Sequence, residues 1–193
     1  MTGMSNSEAL DPKNTFFTSD LHFFHKAIIR FCDRPYATVD EMNEGIIHNW
    51  NSKVSEDSTV FVLGDVLFGG SDKARKVLPQ LKGKKHLVVG NHDSVRAIGK
   101  YFNSVSPYRE IFLDESMVCL MHYPIEFWNK CHYGAMHFHG HLHGGDGNWR
   151  LSLPLTKRPN RVDVGVDSWH MTPVSFTELK SHLELNNPKM TVT

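Results

Sequence analysis

Five short motifs hold most of the side chains in this sequence that could do chemistry. They supply two aspartates, one asparagine and five histidines, with a further aspartate, Asp93, as a supporting group. Such oxygen and nitrogen ligands bind divalent transition metals, and they are too many for one ion but suit two ions that share a carboxylate. This set is typical of a two-metal phosphoester hydrolase. In chain order the motifs are Asp20-Leu21-His22, Gly64-Asp65, Gly90-Asn91-His92-Asp93, Met121-His122-Tyr123 and Gly140-His141-Leu142-His143.

Each motif follows an apolar run that predicts a buried strand. A strand anchored in the core holds the loop at its end rigidly, while that loop stays accessible at the edge of the sheet where α/β proteins bind ligands. In an extended segment, Asp20 and His22 would project to the same side, and His141 and His143 would repeat that arrangement. The glycine in three of the motifs lets the backbone turn sharply beside a metal. The predicted strands cover residues 15–18, 59–63, 86–89, 117–121 and 135–138.

Helices are predicted between these strands, so the chain is expected to be a mixed α/β protein. Thr38 with Glu41, and Ser175 with Glu178, have the spacing of capping boxes, and Pro79 is expected to fray or end a helix that starts at Ser71. Residues 111–113 and 117–121 predict a hairpin, and residues 162–166 a last strand. We expect a single domain over residues 15–187 after a flexible polar lead-in, residues 1–14.

The composition excludes little beyond a general affinity for polyanions. The 193 residues include 21 basic and 21 acidic side chains, so the formal net charge is zero and long nucleic acid is not favoured as a partner. The three cysteines have no paired spacing, which favours free thiols in a reducing compartment. The sequence has no signal peptide and no run long enough to span a bilayer, so a cytoplasmic location and no membrane partner are the expectation. The oligomeric state cannot be predicted.

The five motifs, in this order, resemble the signature of the calcineurin-like metallophosphoesterase superfamily. The segment from Asn160 to Asp167, followed by Pro173-Val174-Ser175, also resembles the end of small bacterial and phage-type members. The resemblance implies a four-layer α-β-β-α sandwich of two mixed sheets flanked by helices, with the metal site at the strand ends. One position departs from the pattern: many relatives have glycine two residues after the first histidine, where this chain has Phe24. The shape of that loop is therefore open.

The resemblance also implies a role for each motif residue. A water or hydroxide between two divalent ions would be the nucleophile, His92 would donate a proton or hydrogen bond to the leaving oxygen, and Asp93 would orient the His92 ring. The nitrogen and oxygen ligands suit manganese, iron, zinc and nickel alike. One ion would bind Asp20, His22 and His143, the other would bind Asn91, His122 and His141, and Asp65 would bridge the two.

A small phosphoester, either a phosphodiester or a phosphomonoester and nucleotide-like, is the expected substrate. His25, Arg34, Arg150 and Arg158 are candidates to contact it, the last two within a basic segment, residues 144–161, that could cover the site. Two alternatives stay open. One is a nuclease on short or single-stranded nucleic acid, and the other is a metal-poor scaffold of the same fold that binds proteins.

Overall fold

Two sheets form the centre of the structure, a computed structural model that describes residues 10–144 and 159–186. Within these residues the first sheet has the strand order β4-β3-β2-β1-β9 and the second has the order β5-β6-β7-β8. The strands are β1 (Thr15–Thr18), β2 (Thr59–Val62), β3 (Lys84–Val88), β4 (Ser104–Ser106), β5 (Arg109–Leu113), β6 (Ser116–Leu120), β7 (Met136–His139), β8 (Arg161–Asp163) and β9 (Val174–Ser175).

Both sheets are mixed, and most of their strand pairs are parallel. In the first sheet β1 to β4 run parallel, and β9 pairs antiparallel with β1. In the second sheet β5 and β6 form the predicted hairpin, with β7 and β8 added in parallel. Parallel neighbours end at the same edge of a sheet, which brings the loops after them together.

The helices pack mainly on the outer face of the first sheet. Along β1, Phe16 belongs to the core shared with these helices, whereas Phe17 belongs to the core between the two sheets. In that inner core the Phe17 ring meets Phe138 of the second sheet edge to face, at 4.9 Å between ring centroids. The helices are α1 (Lys26–Phe31), α2 (Val39–Lys53), α3 (Ser71–Val77), α4 (Val95–Ile98) and α5 (Phe176–Asn186).

The remaining layers are completed by α5 and by the chain between β6 and β7. Leu179 and Leu183 of α5 join the core between the sheets. The outer face of the second sheet is covered by residues 124–135, where Trp128 packs on Cys119 and a short 3₁₀ turn occupies Cys131–Tyr133. The predicted fold class, two mixed sheets flanked by helices, is confirmed. None of the helices in the described residues has the length and apolar content needed to cross a membrane.

The predicted helix ends follow from local chemistry. The Thr38 hydroxyl accepts a hydrogen bond from the Glu41 amide, and Ser175 and Glu178 bond reciprocally, as capping boxes require. Helix α3 ends at Val77, just before the 3₁₀ turn Leu78–Gln80 that contains Pro79. The last predicted strand is shorter than expected, because β8 ends at Asp163.

Two short strands were not predicted, and part of the predicted lead-in lies outside the described residues. Strands β4 and β9 have three and two residues and add to the edges of the first sheet. Residues 1–9 are not among those described. Leu10 packs against the core between the sheets, and Asn14 accepts a hydrogen bond from Ser58.

Candidate metal centre

The five motifs meet at one end of the two sheets, each directly after its strand. Strands β1, β2 and β3 are neighbours in the first sheet, and β6 and β7 are neighbours in the second. Their loops carry the seven residues predicted as metal ligands, and all but Asn91 and His141 are almost fully buried. Those residues are Asp20 and His22 after β1, Asp65 after β2, Asn91 after β3, His122 after β6, and His141 and His143 after β7.

Asp20, His22 and His143 form the first cluster. Oδ1 of Asp20 lies 4.0 Å from Nε2 of His22 and 3.8 Å from Nε2 of His143. These distances are too long for hydrogen bonds, whereas two ligands about 2.1 Å from one tetrahedral ion lie about 3.4 Å apart. Oδ1 of Asp20 and both ring nitrogens of His22 are buried without a hydrogen-bond partner. Buried polar atoms are rarely left so, and a cation between Oδ1 of Asp20 and Nε2 of His22 would satisfy these two atoms.

Asp65 lies between this cluster and a second one. Its Oδ2 is 3.5 Å from Nε2 of His22, and its Oδ1 is 3.6 Å from Nε2 of His122. The two oxygens of one carboxylate therefore face histidines from two different sheets. Asp20, Asp65 and His122 also form a group whose ligand atoms all lie within 4.8 Å of one another. This is the geometry expected of a bridging carboxylate.

His122 has Asn91 and His141 as its neighbours in the second cluster. Nδ1 of His122 is 2.7 Å from the Leu63 carbonyl, and Nε2 is 2.9 Å from Oδ1 of Asn91. If Nδ1 of a neutral ring donates to Leu63, the lone pair of Nε2 faces the lone pairs of Oδ1 of Asn91, and these two acceptors repel each other. A cation bound by both atoms removes this repulsion. The His141 ring lies 5.1 Å from the His122 ring, and the His141 amide donates to Asp20. The donor sets of both clusters fit divalent ions.

Five of the predicted ligands adopt left-handed backbone conformations, which non-glycine residues rarely do. Asp20 and His22 have φ of 56° and 50°, so the prediction that they share one side of an extended segment is wrong, although they do lie together. Phe24 has φ of 63°, the conformation glycine would adopt most easily at this position. The other three ligands are Asp65 (54°), His141 (72°) and His143 (54°). Backbone strain concentrated in this way is typical of functional sites.

The motif glycines are needed because their loops are in contact. At Gly64, which has φ of 92°, a Cβ would lie 2.6 Å from both Gly90 Cα and Nδ1 of His122. At Gly140 a Cβ would overlap the Ser19 hydroxyl and the Asp20 carboxylate. A side chain at either position would push a ligand loop away from the centre. The expected close approach of the backbone is confirmed.

Arg34 was predicted to contact substrate, but the structure corrects this assignment. Its side chain is buried and makes a two-pronged ion pair with Asp167, at 2.8 Å for each contact. It also donates to the carbonyls of Asp20 and Leu21. Oδ2 of Asp167 is 2.8 Å from Nδ1 of His143. Arg34 and Asp167 therefore connect the loop of the first motif to a ligand of the last one.

The pKa values of the first cluster reflect burial and this ion pair. Burial raises the pKa of Asp20 to about 6 and lowers the pKa of His22 far below its usual range. For His143, burial lowers the pKa, but the hydrogen bonds to Asp167 and Cys32 and the Asp20 charge outweigh it and raise the pKa to about 10. His22 is thus ready to bind a cation, whereas His143 must first lose a proton from Nε2.

His92 lies at the accessible edge of the centre. Its side chain is 45% exposed, Nε2 is 3.9 Å from Oδ2 of Asp65, and its amide donates to Oδ1 of Asp65. Asp93 does not take the position predicted for it, since its hydrogen bonds in the described residues go to backbone amides and not to the His92 ring. Its carboxylate accepts from the amides of Asp65, Val66 and Gly90, and so fixes the two loops that carry Asp65 and Asn91.

Of the other predicted substrate residues, only His25 lies within the described part of the chain. Its ring is 5.2 Å from the His22 ring and stacks on Phe68 at 4.5 Å. Arg150 and Arg158 lie outside the described residues, as does most of segment 144–161. Sequence reasoning missed the contacts of Asp167 with Arg34 and His143, and the stacking of Phe68 on His25. The signal for Asp167 was its place at the end of the segment from Asn160, after an apolar run, whereas nothing in the sequence singled out Phe68.

Comparisons with known proteins place the chain in a family. No family model matches it. Uncharacterized protein MJ1445 of Methanocaldococcus jannaschii is 30% identical over 167 residues, which cover 85% of this chain and 88% of that protein. The chain belongs to the MJ1445 family. The gene 66 protein of Mycobacterium phage L5 is also 30% identical, over 81% of this chain and 87% of the phage protein.

The same fold occurs in a solved structure. The protein of unknown function AQ665 from Aquifex aeolicus superposes with a TM-score of 0.69 at 22% identity, and the match covers 87% of this chain and 98% of that one. This similarity shows the fold alone.

Proposed function

We propose that this protein is a dimetal-dependent phosphoester hydrolase that acts on small phosphodiesters or phosphomonoesters of the nucleotide type. The observation that carries the proposal is the position of Asp65, whose Oδ2 faces His22 while its Oδ1 faces His122. A carboxylate that presents one oxygen to each of two groups of candidate ligands is suited to bridge two ions. Pairs of ions about 3.5–4 Å apart are used by phosphatases and nucleases.

The residues divide into two ligand sets around Asp65. Divalent ions bound there would polarise the phosphoryl oxygens and lower the pKa of a coordinated water toward neutrality. Asp20, His22 and His143 would hold one ion, and Asn91, His122 and His141 the other. Manganese, iron, zinc and nickel all suit these ligands.

The chain itself supplies the proton and the rigidity. His92 is exposed enough to meet a substrate and lies next to Asp65, so it would donate a proton or hydrogen bond to the leaving oxygen. Asp93 holds the loops of Asp65 and Asn91 in register through three amide hydrogen bonds. Arg34 and Asp167 hold His143 in the orientation that directs Nε2 toward Asp20.

Chelation and reconstitution test this proposal. We expect the metal-free protein to be inactive on a panel of nitrophenyl and nucleotide mono- and diesters, and manganese or another transition ion to restore hydrolysis. No cysteine is among the proposed ligands, although the Cys32 thiol lies within 4.8 Å of ligand atoms of His143 and Asp167, so Cys32→Ser, which adds no bulk, should leave metal binding intact. Equal hydrolysis by rigorously metal-free and reconstituted protein would contradict the proposal. Release of acid-soluble nucleotides from single-stranded DNA or RNA, without activity on the small esters, would favour the nuclease instead.

A further inference from the structure

Beside the candidate centre, Phe68 presents an exposed aromatic ring on a backbone that is held in place. The two residues before it, Val66 and Leu67, are buried, and Leu67 forms a parallel bridge with Phe23. The Phe68 amide donates to the Phe23 carbonyl at 2.8 Å. Phe68 is nevertheless 46% exposed as a residue. An anchored backbone with a half-exposed ring provides a preformed flat apolar surface.

This ring lies on the same side of the centre as His92. It stacks on the His25 ring with centroids 4.5 Å apart and an angle of 15° between the planes, and its centroid is 6.0 Å from that of the His92 ring. The His25 ring in turn is 5.2 Å from the ring of the ligand His22. A group attached to the oxygen that His92 protonates therefore has the Phe68 ring within reach.

We propose that Phe68, supported by His25, is the stacking surface for the nucleobase of the leaving group. This inference rests on the proposed function, because it takes the position of the leaving oxygen from His92. In the reaction, water adds to phosphorus, the bond from phosphorus to the nucleoside oxygen breaks, and that oxygen leaves with a proton from His92. A flat apolar ring stacks on any base, so the surface selects nucleoside esters as a class and not one particular base.

Tyr123 provides the internal comparison. This residue is 40% exposed, and its ring packs against the rings of His141 and His122, with centroids 4.8 and 5.1 Å away. It therefore borders the second ligand set. Binding of a base on the departing nucleoside should require Phe68. Binding of a base on the part of the substrate that keeps the phosphate would instead require Tyr123.

Two pairs of esters that differ only in the base give the test. The first pair is adenosine 5′-monophosphate and ribose 5-phosphate, and the second pair is the methyl diesters of these two compounds. Manganese-reconstituted protein is assayed on each ester by the nucleoside or sugar that it releases. We expect kcat/KM to be about 5- to 100-fold higher for the base-bearing ester, the range of one base stacking on one aromatic ring. In Phe68→Leu this ratio should fall toward one, and Phe68→Trp should retain it.

Phe112→Leu is the matched control. Phe112 is 65% exposed on β5 and lines a cavity of about 1060 Å³ that none of the candidate ligands borders, so this variant should keep the wild-type ratio. An unchanged ratio in Phe68→Leu would overturn the inference. A ratio lost in Tyr123→Leu but kept in Phe68→Leu would also overturn it, because the base would then lie on the other side.

A binding measurement separates this inference from the proposed function. Calorimetric titration with adenosine 5′-monophosphate and with ribose 5-phosphate needs no turnover. If no ester is hydrolysed, the proposed function fails, yet tighter binding of the nucleotide that is lost in Phe68→Leu would still support the stacking surface. Equal affinity of the wild type for both compounds would overturn it.

Discussion

His92 differs from the buried candidate ligands closest to it in its exposure. Those ligands that lie closest to it, His22 and Asp65, are buried, while the side chain of His92 is 45% exposed. Its amide is bonded to Asp65, so the backbone of His92 is fixed while the ring can still meet solvent or substrate. An accessible imidazole at the edge of the ligand cluster suits the proton transfer that we propose for His92.

The substitution His92→Asn should therefore keep both metals and slow the chemistry. We expect kcat to fall by roughly 10²–10⁴-fold on a nucleotide diester, whose alkoxide leaving group needs a proton. The loss should be much smaller on a nitrophenyl diester, because nitrophenolate is stable as an anion. Metal content and kcat on both substrates are measured for wild type and variant. Equal losses on the two substrates, or a missing ion, would show that His92 is a ligand or a structural residue.

At the scale of elements, buried ionic groups connect the loops that carry the ligands. Asp93 joins the loops after β2 and β3 through three amides. Arg34, just after α1, reaches the loop after β1 directly and His143 through Asp167. Each strained ligand loop is thus held by contacts with another part of the chain, which is how left-handed ligand residues can be maintained. Positions of this kind should control metal affinity more than substrate binding.

Replacement of Arg34 by lysine tests this role. Lysine keeps the charge but cannot form the two-pronged pair with Asp167, so His143 should lose its orientation and metal affinity should fall by about 10- to 100-fold. With saturating metal, KM should stay near the wild-type value. Arg30→Lys, an exposed position on α1, is the control and should change neither quantity. A raised KM with unchanged metal affinity would restore Arg34 as a substrate contact.

Several parts of this arrangement could be predicted from sequence, and the rest depends on contacts between distant segments. Asp20 and His22 of the first cluster were predictable because they follow an apolar run. Such a run predicts a buried strand, and the end of a buried strand fixes the position of the loop that follows it. The burial of Arg34 could not be predicted from the sequence, because its partner Asp167 is 133 residues away along the chain. The role of Asp93 was misjudged for a similar reason, because the amides that it binds belong partly to another loop. Strands β4 and β9 are short and form only by pairing with longer ones.

At the scale of the whole molecule, buried histidines make the fold sensitive to acid. Burial lowers the pKa of both His137 and His139 to about 3, although Nδ1 of each ring lies within hydrogen-bond distance of a backbone carbonyl. Nδ1 of His137 is 3.0 Å from the Cys119 carbonyl, and its Nε2 accepts from the Ile125 amide. Nε2 also lies 3.2 Å from the Tyr123 carbonyl, which would accept a bond from a protonated ring and so raises the pKa, but the cost of burying the charge outweighs this contact.

Stability should therefore fall as the pH drops from about 6.5 toward 3. In that range the unfolded chain binds protons that the folded chain excludes, so each such histidine makes the free energy of unfolding fall by up to about 1.4 kcal/mol per pH unit. Urea unfolding of the metal-free protein between pH 4.5 and 7 measures this slope. His137→Asn should flatten it, and the exposed control His48→Asn should not. An unchanged slope in His137→Asn would contradict the assignment of a buried neutral ring.

The proposed two-metal centre depends on Asp65 as the bridge between its ions, and metal stoichiometry in Asp65→Asn tests this role most directly. Wild type and variant are stripped, reconstituted with manganese and assayed for bound metal and hydrolysis, with the exposed Asp72→Asn as a control and urea unfolding as a check of the fold. We predict two ions per chain for the wild type and the control. For folded Asp65→Asn we predict fewer than two ions and almost no turnover. Two retained ions with near-normal hydrolysis in this variant would contradict the account.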